Sequence, residues 1–306
     1  MVRARPREAT VMDIGLEADE GTSMTLSLAA DGTDYPSLFA GERRALLNML
    51  ESLDTQQWSV QTACPGWSVL DLAAHLLGDD LGLLARQRDG HDGLRPPTGP
   101  NNPEAFARWL DTAQDTWVQG VRRLSPRLVV DLLTWTEPQV VGLLRGQDPD
   151  VADAFVSWAS DQPVPRWLDQ ARELSEHWIH RQQMLQALGR PTDLSEPIAS
   201  AVLDGLRWAY PYNLGRLRRR AGSTVSVIAE GPINRAWHLR SDGSTWVFVT
   251  DPAESVAARL VLTTEQLWRL LTNNLPAPEH QQLDARGDHE IIEILRRTRA
   301  IVGLPN

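Results

Sequence analysis

The sequence predicts a two-part α + (α+β) protein, an antiparallel four-helix bundle followed by a small α+β module. Three observations carry that expectation. Apolar residues recur at helical spacing from Ser37 to about position 190, short β-branched and aromatic runs appear only after position 222, and 306 residues exceed what one core usually supports. The expected division is a mobile leader over 1–34, a bundle over 35–190, a linking helix over 191–221 and the α+β module over 222–306.

The leader mixes Glu17, Asp19 and Glu20 with Gly15, Gly21 and Gly32 and shows no sustained period. From Ser37 to Ser52, Leu38, Ala45, Leu46, Met49 and Leu50 form one buried stripe. The next helix starts at Ser68, where Ser-Val-Leu-Asp has the form of a capping box, and carries Val69, Leu72, Leu76 and Leu83. The proline-rich stretch between Gly93 and Pro103 reads as a loop. Helical spacing returns over Glu104 to Leu124 and, more weakly, over Arg127 to Leu133 and Asp150 to Ser160. The fourth main helix runs from Pro165 to Leu188, with Gly189 as its stop. A single helix is expected over Pro197 to Leu217. Strands are expected over 224–228, 236–240, 245–249 and 259–262, then helices over 264–273 and 288–302, the last capped by Asp288.

Composition removes whole classes of chemistry. All 30 basic residues counted as Lys+Arg are arginine. No Schiff-base lysine, P-loop lysine or lysine general base is possible, and every fixed cation is a guanidinium that binds carboxylates through a planar fork. Forty acidic residues against those arginines leave a formal charge of -10, the wrong sign for a nucleic-acid binder; the run Arg216, Arg218, Arg219 and Arg220 reads as a solvated helix end. Cys64 is the only cysteine, which excludes an internal disulfide, and its place before Pro65 with no adjacent base reads as structural. With no apolar span of membrane length, a cytoplasmic setting without a membrane partner is expected.

Two local features could carry chemistry. His75 faces the inner side of its helix, where a hydrogen-bonded core histidine is the commoner role. Glu176 and His180 are four apart on one helical face, a spacing that lets a carboxylate and an imidazole share a metal but also that of an ordinary ion pair. Glu173 and His177 have the same spacing, so spacing alone does not choose between the pairs. Leu174, Trp178, Leu185 and Leu188 form an apolar stripe nearly opposite Glu176, His180 and Gln183, so the polar row could line a cleft.

The segment Cys64-Pro65-Gly66-Trp67-Ser68-Val69-Leu70-Asp71-Leu72-Ala73-Ala74-His75-Leu76 resembles the Trp-x-Val-x-Asp-x-x-x-His segment of the DinB-like, mycothiol-dependent maleylpyruvate isomerase family. Residues 176–183 likewise resemble that family's Glu-x-x-x-His segment. The resemblance implies a DinB-like bundle with a sterol-carrier-like α+β domain after it, and a divalent metal, usually zinc, held by His75, Glu176 and His180. It leaves Glu173 and His177 as neighbours of the site. Gln183 departs from the Asp that many members carry there, which bears on the substrate.

A set of two histidines and one carboxylate leaves coordination positions open, as in a catalytic zinc site. The function expected is a zinc-dependent enzyme using a low-molecular-weight thiol of the mycothiol type, an isomerase or a thiol S-transferase. Arg235 and Arg240 are candidates for holding substrate carboxylates, and Trp67 and Trp178 for walling the cleft. The alternatives are a non-catalytic, metal-containing binder of an apolar ligand and a metal-dependent hydrolase.

Overall fold

The computed structural model describes residues 32–91, 93–94, 103–251 and 256–301. The expected leader, apart from its last three residues, and most of the proline loop lie outside the described residues. The described residues up to Leu214 are mainly helical, with one two-stranded pair among them, and those after it build a five-stranded sheet with helices packed against it.

Helix α1 spans Tyr35–Glu51 and starts where the Asp34 carboxylate accepts from the Ser37 N–H at 3.1 Å. Helix α2, Val69–Leu83, opens with the expected capping box between Ser68 and Asp71. It buries Val69, Leu72, Ala73, Ala74, Leu76 and Leu77, so neighbours cover it on several sides, and it continues into a π-helical turn over Leu84–Arg88. Helix α3 is Pro103–Val121 and α4 is Pro126–Arg145. Helix α5, Arg166–Ala187, is the longest described helix and begins one residue later than expected.

The bundle has four members, but not the four that periodicity singles out. Helices α4 and α5 each pack against both α1 and α2, closing the bundle, whereas α3 lies against α2. The weak helical pattern over Arg127 to Leu133 is therefore the start of a full bundle helix. Pro138, inside α4, masks the continuation: proline removes a helical N–H and argues for a stop that packing overrides here.

Two other expectations are corrected. The stretch Asp150 to Ser160 is not helical: β1, Ala152–Ala154, pairs antiparallel with β2, Val164–Pro165, and Val156 and Trp158 dip into the core. Asp148 accepts from the Asp150 N–H at 3.1 Å, which turns the chain before β1. The expected linking helix is two, α6 Ile198–Leu206 and α7 Ala209–Leu214. Pro211 has no N–H to donate to the Arg207 carbonyl, so the ladder breaks between them.

The sheet has the order β5-β4-β3-β6-β7, built from β3 Thr224–Glu230, β4 Arg235–Ser241, β5 Trp246–Val249, β6 Ala258–Thr263 and β7 Asp284–Gly287. Only β3 and β6 run parallel. The four expected strands are present; β7, the polar run Asp-Ala-Arg-Gly, has no β-branched signal and is defined by its pairing with β6. Gly287 ends it at φ 116, where a side-chain carbon would collide with the Ala257 carbonyl. Helices α8 Thr264–Leu271, α9 Ala277–Gln281 and α10 His289–Arg297 complete the chain, and Asp288 caps α10 as expected. Trp178 of α5 meets Trp268 of α8 edge to face at 5.6 Å, inside one apolar cluster that runs from the bundle into the sheet. Among the described residues no helix is long and apolar enough to cross a membrane.

Candidate metal centre

The Ser68–Asp71 box sets the phase of α2 and turns His75 toward α5. Upstream, Cys64-Pro65-Gly66-Trp67 closes a β-turn, with the Trp67 N–H donating to the Cys64 carbonyl at 3.1 Å and Gly66 at φ 78. Proline second and a positive-φ glycine third is the type II pattern. Arg122, at the end of α3, clamps this entry by donating to Asp71 at 2.8 Å and to the Gly66 carbonyl at 3.1 Å. The turn lays the Trp67 ring 5.3 Å from the His75 ring.

Opposite, α5 presents Glu176 and His180 from successive turns. His75 Nε2 lies 3.2 Å and His180 Nε2 3.1 Å from the same oxygen, Glu176 Oε1, and the two rings meet edge to face at 4.7 Å. One ligand-type atom from each residue lies within 4.8 Å of the others. Two ligands held about 2.0–2.1 Å from a tetrahedral ion stand roughly 3.3 Å apart, close to the separation of each Nε2 from Glu176 Oε1.

The outer nitrogens are engaged too. His75 Nδ1 is 3.1 Å from Gln114 Oε1, and Gln114 Nε2 donates to Asp79 Oδ1 at 3.1 Å. A carboxylate only accepts, so the Gln114 amide oxygen faces His75, and His75 Nδ1 carries the proton. His180 Nδ1 stands 2.7 Å from Gln183 Oε1. In both rings Nε2, the atom aimed at Glu176, is the one that would give up its proton to a cation, the arrangement by which outer partners orient metal-binding imidazoles.

Electrostatics agree with a cation-seeking cluster. Burial disfavours the charged Glu176 carboxylate, yet hydrogen bonds from His180 and His75 hold it well below the usual range. Burial also works against imidazolium, but Asp79 and Glu176 raise His75, while Cys64 and Glu176 raise His180 well above its ordinary value.

The competing pair goes elsewhere. His177 is buried against Asp80, 3.4 Å from Nε2, and against Arg43, 3.4 Å from Nδ1. Glu173 is buried beside Arg172, whose guanidinium donates to it; burial first, and the Asp169, Asp79 and Glu176 charges next, push its carboxyl up to about 7 despite that guanidinium. Trp178 is fully buried on the far face of α5 and walls no cleft. Arg235 is paired with Asp204 at 3.2 Å, Arg240 donates to the Asp251 carbonyl at 3.5 Å, and Arg219 bridges Asp288 and Glu290.

Several site neighbours escape a reading of the sequence. Asp79 Oδ2 lies 3.3 Å from His75 Nε2, and its i,i+4 spacing from His75 is a signal that was there to find. Gln114 has no such signal, being 39 residues from its partner. Cys64, expected to be structural, stands beside the cluster with Sγ 3.4 Å from Gln183 Oε1. One turn before Glu176, Arg172 lines a cavity of about 680 Å³ with Arg86, Arg166, Asp169 and Phe155.

No curated protein matches this chain. Solved structures do: the crystal structure of the mycothiol-dependent maleylpyruvate isomerase is 15% identical with TM-score 0.48, covering 79% of this chain and 89% of that one. A point mutant of that enzyme gives 15% and 0.48, with 78% and 87% covered. Residues 39–184 match the family described as "Mycothiol maleylpyruvate isomerase N-terminal domain". That stretch holds α2, most of α5 and the whole His75, Glu176 and His180 cluster, so the part of the chain that carries the candidate site is the part similar to the mycothiol maleylpyruvate isomerase N-terminal domain family.

Proposed function

We propose that this protein is a divalent-metal enzyme, with zinc the preferred ion, that uses a low-molecular-weight thiol of the mycothiol type as an isomerase or thiol S-transferase on a small electrophile. The observation that carries this reading is the convergence of His75 Nε2, His180 Nε2 and Glu176 Oε1, with each imidazole's other nitrogen facing a glutamine oxygen. When bound, such an ion supplies Lewis-acid stabilisation of a thiolate near neutral pH. That chemistry suits a chain with no lysine and one cysteine.

The chain's own residues supply the rest. His75, Glu176 and His180 hold the ion, and Trp67 covers the His75 ring. Asp79 Oδ2, 3.3 Å from His75 Nε2, is an acceptor placed to take the proton that a thiol gives up. Arg86, in the cavity that Arg172 also lines, replaces Arg235 and Arg240 as the candidate for holding a substrate carboxylate, since those two are engaged elsewhere and Arg172 is held by Asp169 and Glu173. Asp79 equally supports a second reading, metal-dependent hydrolysis, in which it would take a proton from water.

Metal content of the purified protein and of His75→Ala, Glu176→Ala and His180→Ala tests the site. About one equivalent in the parent and a clear loss in each variant is expected; undiminished metal in all three overturns the assignment. Consumption of mycothiol, bacillithiol and glutathione across a panel of electrophiles tests the chemistry. Metal-dependent turnover is expected with at least one thiol, and hydrolysis without any thiol selects the second reading.

A further inference from the structure

The orientation of His180 is settled by a chain of hydrogen bonds that begins in the sheet half of the molecule. The Thr272 backbone carbonyl can only accept. Asn274 Nδ2 donates to it at 2.9 Å, and to Thr272 Oγ1 also at 2.9 Å, so the Asn274 amide has one allowed orientation, with Oδ1 turned away. That oxygen accepts from Gln183 Nε2 at 3.1 Å. Gln183 is thereby oriented in turn, and its Oε1 faces His180 Nδ1 at 2.7 Å. An amide oxygen cannot donate, so Nδ1 carries a proton on that side, and Nε2, beside Glu176, is the nitrogen that would exchange its proton for a cation.

The backbone holds the anchor in place. Asn273 adopts φ 59, its side-chain oxygen accepts from Arg299 Nε at 3.1 Å, and the Asn274 N–H donates to the Arg269 carbonyl at 2.7 Å. Gln183 is buried, leaving little water to substitute for a lost partner. His75 is served differently, by Gln114 and Asp79 of the helical half alone.

We propose that Asn274 and Gln183 are positioning residues for the metal centre: Asn274, on the loop after α8, locks the Gln183 amide, and the locked amide keeps an acceptor on His180 Nδ1, so the sheet half of the chain tunes a site whose ligands all lie on helices. This rests on the metal reading above for its consequence, but its core is the hydrogen bond on one ring nitrogen. A neutral amide holds the Nδ1 proton less strongly than a carboxylate would, and it can also flip. The flip is the reason an outer anchor is needed.

That logic separates a relay from mere structural support. Gln183→Ala removes the acceptor and should weaken affinity for zinc or cobalt(II) about 10–100-fold, measured by competition with a chromophoric chelator. Asn274→Ala frees the amide to present Nε2 to His180, and a loss of at least about threefold is expected. Gln183→Glu offers an acceptor oxygen whichever way it turns, so it should keep parental affinity, and in that background Asn274→Ala should have no effect. Proton spectra of the metal-free proteins should show the His180 Nδ1–H as a hydrogen-bonded resonance protected from exchange in the parent and in Gln183→Glu, and broadened by exchange with solvent in the two alanine variants.

Thermal unfolding of each metal-free variant checks that it folds. The proposal is overturned if Asn274→Ala leaves both the Nδ1–H protection and the affinity unchanged, or if its effect persists in the Gln183→Glu background. A parent that takes up no metal would sink the metal reading instead, and the Nδ1–H spectra would still decide this one.

Discussion

At the scale of single residues, the bundle interior is held by a polar node with a contribution from each of its four helices. Arg43 of α1 donates to Asp80 of α2 at 2.7 Å and to the Leu133 carbonyl of α4 at 2.9 Å; Thr136 of α4 donates to Asp80, and His177 of α5 lies 3.4 Å from both charged groups. Arg43 and Asp80 are both essentially fully buried, so removing one leaves the other as an uncompensated interior charge. Asp80→Ala should cost about 3–5 kcal/mol in urea unfolding, and Asp80→Ala with Arg43→Leu should recover much of that loss. Equal losses for the single and double variants would show that packing, not the charge, is responsible. None of this node is legible in the sequence, because its members lie in four separate helices and share no local period. The metal cluster was more legible: Glu176 and His180 share a helical face, and His75 sits in a quotable motif. Spacing left Glu173 and His177 equally eligible, and only the packing of α5, which turns His177 inward to Asp80 and leaves Glu176 beside His75, separates the pairs.

At the scale of elements, caps were read correctly because they are local. Ser68, Asp71 and Asp288 act within three residues of where they stand. Bundle membership was not, because it depends on which faces meet: α4 has the weaker helical pattern and α3 the clearer stripe, yet α4 is the one that packs against both α1 and α2. The start of α2 also carries a pH signature. Burial works against the Asp71 carboxylate, but Arg122 and Ser68 hold it below its ordinary range, so its contribution is present above the unfolded-chain value of about 3.9 and is lost as pH falls through the lower folded value. Arg122 is half exposed, which limits the pair to about 1 kcal/mol or less. Arg122→Met should lower the urea midpoint slightly at pH 7, and parent and variant should converge in acid. A gap that stays constant through the acid limb would assign the effect to lost packing of the arginine stem.

For the whole molecule, the periodicity switch after α7 correctly marked where strands begin, but not how the halves meet. One apolar cluster includes Leu174 and Trp178 of α5, Val202 and Leu206 of α6, Val225 and Val227 of β3, and Trp268 of α8. Calorimetry should therefore record a single unfolding transition with equal calorimetric and van't Hoff enthalpies, and two resolved transitions would show the halves to be separable. A shared core also gives the bundle and the sheet a common thermodynamic fate. Occupancy of a helical site at a hundred times its dissociation constant is worth about 2.7 kcal/mol against global unfolding, and that protection cannot stop at the end of α5. Amide protons of β3 and β6, in strands that touch no ligand, would then exchange with solvent roughly a hundredfold more slowly, so an ion bound among helices could be detected in the slowest-exchanging protons of the sheet.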